Sequence, residues 1–87
     1  MSKIIIEYTA RFLKSLKKLE TDLQEETYSK IDLFEENENH IILKLHKLKG
    51  KLSDKYSFSI NYKYRVILYR DKNVFTFLDI GDHDLYK

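Results

Sequence analysis

Eighty-seven residues, a formal net charge of +2 and no cysteine describe one small domain with no disulfide and no thiolate metal site. A chain of this length buries only about 60–65% of its unfolded surface, so its core is thin. The longest apolar runs, Ile4-Ile5-Ile6 and Val66-Ile67-Leu68-Tyr69, fall far short of the roughly 20 residues of a membrane span. The N-terminus lacks a small-residue cleavage site, and the expected location is the cytoplasm.

Lys3 to Tyr8 is short and β-branched and reads as a first strand, with Ile4, Ile6 and Tyr8 on one face and Ile5 and Glu7 on the other. Thr9 can cap the helix that follows. From Ala10 to Leu19, Phe12, Leu13, Leu16 and Leu19 make one apolar stripe, with Arg11, Lys14, Lys17 and Lys18 outside it. Thr21 and Gln24 have capping-box spacing, and Asp22 suits the positive end of a helix. This second helix should run to about Glu36, with Leu23, Thr27, Tyr28, Ile31 and Phe34 as its stripe. Two helices so tightly joined form an antiparallel hairpin.

Asn37-Glu38-Asn39 stops the second helix. His40 to Leu48 is either a short helix or an irregular segment anchored by Ile41, Ile42, Leu43, Leu45 and Leu48, and a loop follows from Lys49 to Asp54. Three alternating segments come next. Tyr56, Phe58, Ile60 and Tyr62 share one face of the first; Tyr64, Val66 and Leu68 share one face of the second. In the third, Val74, Thr76, Leu78 and Ile80 alternate with Phe75, Phe77 and Asp79. Short connections make these an antiparallel meander. The order β-α-α-β-β-β predicts an α+β domain: an N-terminal strand, an antiparallel helical hairpin, then a three-stranded antiparallel meander. One sheet face takes the hairpin, and the other is left to bind.

Charge is unevenly spread along the chain. Residues 1–39 hold six basic and nine acidic side chains, whereas residues 40–72 hold nine basic and two acidic ones. A basic segment of this kind is the footprint of a phosphate-binding face, or else a solvated lysine-rich surface. It includes Lys47, Lys49 and Lys51 on the loop, and Lys63 between strands, as candidate phosphate contacts. Arg65 lies on the strand face opposite Tyr64, Val66 and Leu68, where a guanidinium can hold phosphate oxygens or else pair with Asp79 or Asp82. His46 and His83 each adjoin one of the two glycines, Gly50 and Gly81, at a strand end. Two imidazoles beside cations suit acid–base transfer on a phosphodiester. His40 lies in an Asn/Glu-rich turn and is given no role. Tyr86 can stack on a base. Asp79, Asp82, His83 and Asp84 are a run of potential metal ligands, but neighbouring side chains rarely converge on one ion, and neither metal nor other cofactor is expected.

YTARFLKSLKKL at 8–19, HKLKG at 46–50, YSFSINYKYRVILY at 56–69 and FLDIGDHDLY at 77–86, in that order, resemble the RelE/ParE superfamily of toxins from toxin–antitoxin systems, and within it the RelE/YafQ-like messenger-RNA endonucleases. The resemblance spans nearly the whole chain and implies a small sheet with a helical hairpin against it. It implies a metal-independent endoribonuclease in which the 2′-hydroxyl attacks the adjacent phosphate, in many members at the ribosome. His46 matches the histidine opening the HxLKG motif, Arg65 the strand arginine, His83 a C-terminal His or Arg, and Tyr86 a terminal aromatic placed against the base. Ser59 and Lys63 stand where YafQ-like members carry a further His and Asp, and GDH stands for the usual GTH.

The implied partners are a cognate antitoxin, messenger RNA and the ribosome. The acidic helix residues Glu25, Glu26, Asp32, Glu35 and Glu36 are candidates to meet a basic antitoxin segment. Two alternatives share the fold: a ParE-like inhibitor of DNA gyrase, whose relatives generally lack the histidine set, and a catalytically silent member that only binds its antitoxin.

Overall fold

The computed structural model describes residues 3–82. Along the chain lie strand β1 (Ile5–Tyr8), helix α1 (Ala10–Lys17), helix α2 (Thr21–Glu36), a 3-10 turn at Ile41–Leu43, strand β2 (His46–Lys47), a 3-10 turn at Gly50–Leu52, and strands β3 (Lys55–Ser59), β4 (Arg65–Asp71) and β5 (Val74–Gly81). The strands form one five-stranded sheet in the order β1-β5-β4-β3-β2. The α+β order is as expected. The sheet, however, is mixed rather than wholly antiparallel, because β1 runs parallel to β5 from Ile5↔Val74 to Tyr8↔Phe77. Short turns tie β3, β4 and β5 antiparallel, whereas β1 is separated from its neighbour β5 by both helices and the other three strands and is free of that constraint. The ambiguous segment after α2 resolves into a 3-10 turn and then β2, which adds a short edge strand against Tyr56 and Ser57. Among the described residues no helix is long and apolar enough to cross a membrane.

Thr9 caps α1 as expected: its hydroxyl oxygen accepts from the Phe12 amide at 3.0 Å. Phe12 and Leu16 are buried, and the helix ends at Lys17, short of Leu19, because the Lys18 and Leu19 amides tighten to carbonyls three residues back. The Thr21–Gln24 capping box does not form. Glu20 occupies the cap with no side-chain bond, and the Gln24 amide donates instead to Leu19 O at 2.8 Å and Lys17 O at 3.3 Å. With only three residues between the helices, the unpaired carbonyls ending α1 lie within its reach.

α2 buries Thr27, Ile31 and Phe34, while Tyr28 is half-exposed. The Thr27 hydroxyl is satisfied by Leu23 O at 2.8 Å. Phe34 is the hub of the core, its ring centroid 4.7, 5.1 and 5.4 Å from those of Phe58, Phe75 and Phe77. Each such buried ring contributes about 1.5–3 kcal/mol by leaving water. Val66 and Leu68 of β4, Ile80 of β5 and Ile60 just past β3 join this core, and Leu43 of the first 3-10 turn seals the β3 side.

Strict alternation in the last strand is broken by a bulge. Leu68 pairs with Phe77 but Ile67 pairs with Asp79, so Leu78 is an extra residue on β5. That extra residue lets Phe75, Phe77 and Ile80 all face the core despite their mixed parity. In β3 the alternation stops early: Asn61 accepts from the amides of Lys63 and Tyr64 at 2.9 and 2.8 Å and turns the chain. Tyr62, expected on the apolar face, sits on that turn and is 92% exposed.

Candidate functional site

The sheet face opposite Phe58, Val66 and Leu68 is organised by register, with α1 reaching its β5 side through Arg11 and Ser15. His46 on β2, Ser57 on β3, Ile67 on β4 and Asp79 on β5 form one row across four strands. The next row is Ser59, Arg65 and Gly81. Ser57, Ser59 and Ile67 on this face are buried. His46 and Arg65 therefore share one face, two strand spacings apart and one row offset, about 12 Å between Cα atoms by standard strand spacings.

The His46 ring is held by its Nδ1, 2.8 Å from Lys44 O. A carbonyl only accepts, so Nδ1 donates and the neutral ring keeps its lone pair on Nε2. β2 runs antiparallel to β3, so Lys44 lies toward the Ser59–Arg65 end, and this bond draws the imidazole in that direction. Arg65 Nη1 donates to Ser59 Oγ at 3.1 Å. Its suggested partner Asp79 is occupied elsewhere, accepting from Ser15 Oγ at 2.6 Å and Arg11 Nε at 3.0 Å. Gly81, directly across from Arg65, brings no side chain to crowd it.

The candidate lysines are not all on this face. Lys47 alternates to the opposite side from His46, beside Tyr56 at the sheet edge, so it is not placed with the imidazole. Lys49 and Lys51 are exposed on the loop around Gly50, whose φ of +71° explains the glycine there. Lys63 lies on the Asn61 turn, its ammonium 5.7 Å from the Tyr64 ring. Lys55, opposite Tyr69, was not singled out by sequence yet stands on the same face as Arg65. Its ammonium donates to Asp54 at 3.0 Å, and that bond, with Lys47 nearby, holds the Asp54 carboxyl below the usual carboxylate range. His83 and Tyr86 lie outside the described residues. His40 is structural, its Nδ1 accepting from the Ile42 amide at 3.3 Å.

Arg65 also lines a cleft of about 440 Å³ beyond the end of β3, with Glu26 and Lys30 of α2, Ile42, Lys44 and the residues from Ser59 to Tyr62. Sequence reasoning missed Lys30 and Lys44. Their only signal would have been Lys44's place next to a turn, where the backbone takes a φ of +53°. Among the described residues no group of three or more His, Cys, Asp or Glu side chains is arranged to hold a metal ion.

The sequence matches no family model and no curated protein. Solved structures do match. A chain of the Escherichia coli DinJ–YafQ toxin–antitoxin complex aligns with a TM-score of 0.76 at 17% identity over 97% of each chain. The archaeal RelE–RelB complex from Pyrococcus horikoshii gives 0.74 at 19% identity, over 93% of this chain and 96% of the other. The YoeB dimer from Staphylococcus aureus gives 0.71 at 20% identity, over 94% and 99%. The chain thus has the fold of the RelE/ParE toxins. At these identities the likeness is one of fold, and any activity has to be argued from the residues.

Proposed function

We propose that this chain is the toxin of a type II toxin–antitoxin pair, an endoribonuclease that cleaves messenger RNA at the ribosome without a metal ion. The observation that carries the reading is the register that puts His46 and Arg65 on one face, with Nε2 of His46 left as the basic nitrogen. In the reaction the 2′-hydroxyl loses its proton and attacks the adjacent phosphorus, and the 5′-oxygen leaves and is protonated. Two groups must exchange protons and one must stabilise the extra charge on the phosphoryl oxygens. His46 takes one proton-transfer role and His83 the opposite one. Arg65 serves the phosphate, its planar donor fork matched to two oxygens. Tyr86 stacks on the base, while Lys49, Lys51 and Lys63 position the strand. Lys47 contributes charge from the edge alone.

The fold likeness supports the same reading, since two of the similar structures are toxins held by antitoxins, DinJ and RelB. The partner of this chain is accordingly an antitoxin whose flexible segment folds on the acidic outer side of α2 or over the basic face.

The test is cleavage of a defined messenger RNA in a purified translation system, with and without ribosomes, in the presence of EDTA. Cleavage by the wild type that fails in His46→Ala, Arg65→Ala and His83→Ala supports the proposal. Gyrase-dependent DNA damage without RNA cleavage overturns it in favour of a ParE-like inhibitor. Antitoxin binding with no cleavage under any condition marks a silent member.

A further inference from the structure

We propose that the cleft beyond the end of β3 is a second RNA subsite, which binds the backbone phosphate of a nucleotide flanking the cut while Tyr62 stacks on its base. The inference rests on the ribonuclease reading and adds to it a surface outside the catalytic row.

Three cations from three separate elements converge on this cleft: Lys30 from α2, Lys44 from the end of the first 3-10 turn, and Arg65 from β4. Among the described residues neither Lys30 nor Lys44 has a carboxylate within ion-pair distance, and Arg65 donates to a neutral hydroxyl. The one acid in the wall, Glu26, accepts from the neutral Asn61 Nδ2 at 2.8 Å and offsets one of the three cations, which leaves the cleft cationic. Like charges gathered around one concavity repel in the free protein, and a phosphate relieves that repulsion. Lys44 holds a left-handed backbone, a conformation in which Gly or Asn is the easier occupant. It ends the pairing of β2, which leaves the edge of β3 past Ser57 without a strand neighbour and opens the cleft.

The rim fits a base. Tyr62 is 92% exposed and Ile42 half-exposed, an aromatic face and an apolar wall beside the cations. Single-stranded nucleic acid is bound through this pairing of a cationic groove with an aromatic platform. Arg65 belongs both to the cleft and to the row beside His46, so one strand crossing the catalytic face can continue into the cleft without leaving positive surface.

The experiment measures binding of a single-stranded 2′-O-methyl octanucleotide, which cannot be cut, by fluorescence anisotropy over a range of salt. A 2′-O-methyl dinucleotide, too short to span both subsites, is the comparison. Lys30→Gln/Lys44→Gln should weaken octanucleotide binding about tenfold and lower the slope of log K against log salt by about 0.7 for one lost phosphate contact. Tyr62→Ala should weaken it about tenfold with the slope unchanged. A dinucleotide can occupy either subsite, so its binding should fall less than that of the octanucleotide, and Lys14→Gln/Lys17→Gln on α1 should alter neither. All these positions are exposed or only half-buried, and circular dichroism checks that the variants fold. Equal weakening by the α1 control, unchanged binding in the cleft variants, or no octanucleotide binding by wild type overturns the subsite. Ribosomal cleavage by wild type would leave the ribonuclease reading standing in each case.

Discussion

Arg65 and Ser59 face each other across β4 and β3, and the guanidinium donates to the serine hydroxyl at 3.1 Å. That bond fixes the end of a long side chain in the middle of the candidate site. Removing it should loosen the guanidinium without removing its charge. Ser59→Ala is therefore expected to lower single-turnover cleavage about tenfold with the fold intact. Arg65→Ala should lower it by about 10²–10³, the scale of losing one transition-state donor. Arg65→Lys should recover little, because an ammonium lacks the planar fork. Full activity in Ser59→Ala beside an inactive Arg65→Ala would show that the hydroxyl does not position the arginine.

His46 offers a sharper test of proton transfer. Glutamine keeps a similar reach and can donate to Lys44 O as Nδ1 does, but it cannot carry a proton through the reaction. His46→Gln should therefore lower cleavage by about 10²–10⁴. Its affinity for an uncut RNA analogue should stay within about twofold. Cleavage within threefold of wild type would remove His46 from the chemistry.

The elements were legible because their signals are local. Phe12 and Leu16 fall on one helical stripe, Thr9 stands where a cap belongs, and Phe58, Val66 and Leu68 keep a period of two. What escaped depends on contacts between distant segments. The parallel pairing of Ile5 with Val74 joins residues separated by both helices and most of the sheet, and nothing in either stretch encodes its direction. The bulge at Leu78 appears only when β5 is laid against β4. In the site, Arg65 was legible because alternation sets its face. Lys47, read as a loop residue, lies on β2, and a two-residue strand carries no period of its own until it is paired with Tyr56 and Ser57. Lys30 and Lys44 come together only through the packing of α2 beside the 3-10 turn, a tertiary relation with no sequence trace.

Asp79 separates a structural hydrogen bond from a surface ion pair. Its carboxylate accepts from Ser15 at 2.6 Å and from Arg11 at 3.0 Å, and the Arg11 side chain is 80% exposed while that of Asp79 is 13% exposed. The exposed guanidinium is screened and gains little. The serine bond to a sheltered carboxylate belongs to the stronger class of charged hydrogen bonds. In urea unfolding, Arg11→Ala should cost under about 0.5 kcal/mol and Ser15→Ala about 1.5–3 kcal/mol. The reverse ranking would mean that the ion pair, not the hydroxyl, ties α1 to β5.

Tyr8 is expected to give the fold's stability an alkaline limb. Its ring packs 5.6 Å from both Phe12 and Phe77, and partial burial, reinforced by the carboxylates of Glu35 and Asp32, raises its phenol above the ordinary value of 10.0. In the unfolded chain the phenol ionises at its ordinary value, so the folded state favours the neutral form. The resulting stabilisation is complete below about pH 10 and is lost as pH rises toward and through the folded value. Phenylalanine cannot ionise, so wild type and Tyr8→Phe should show nearly parallel melting temperatures to about pH 9.5, after which the wild type falls away more steeply. Glu35→Gln removes one of the repelling charges and should narrow that gap, as should added salt. Curves that stay parallel to pH 11.5 would place the alkaline sensitivity in other tyrosines.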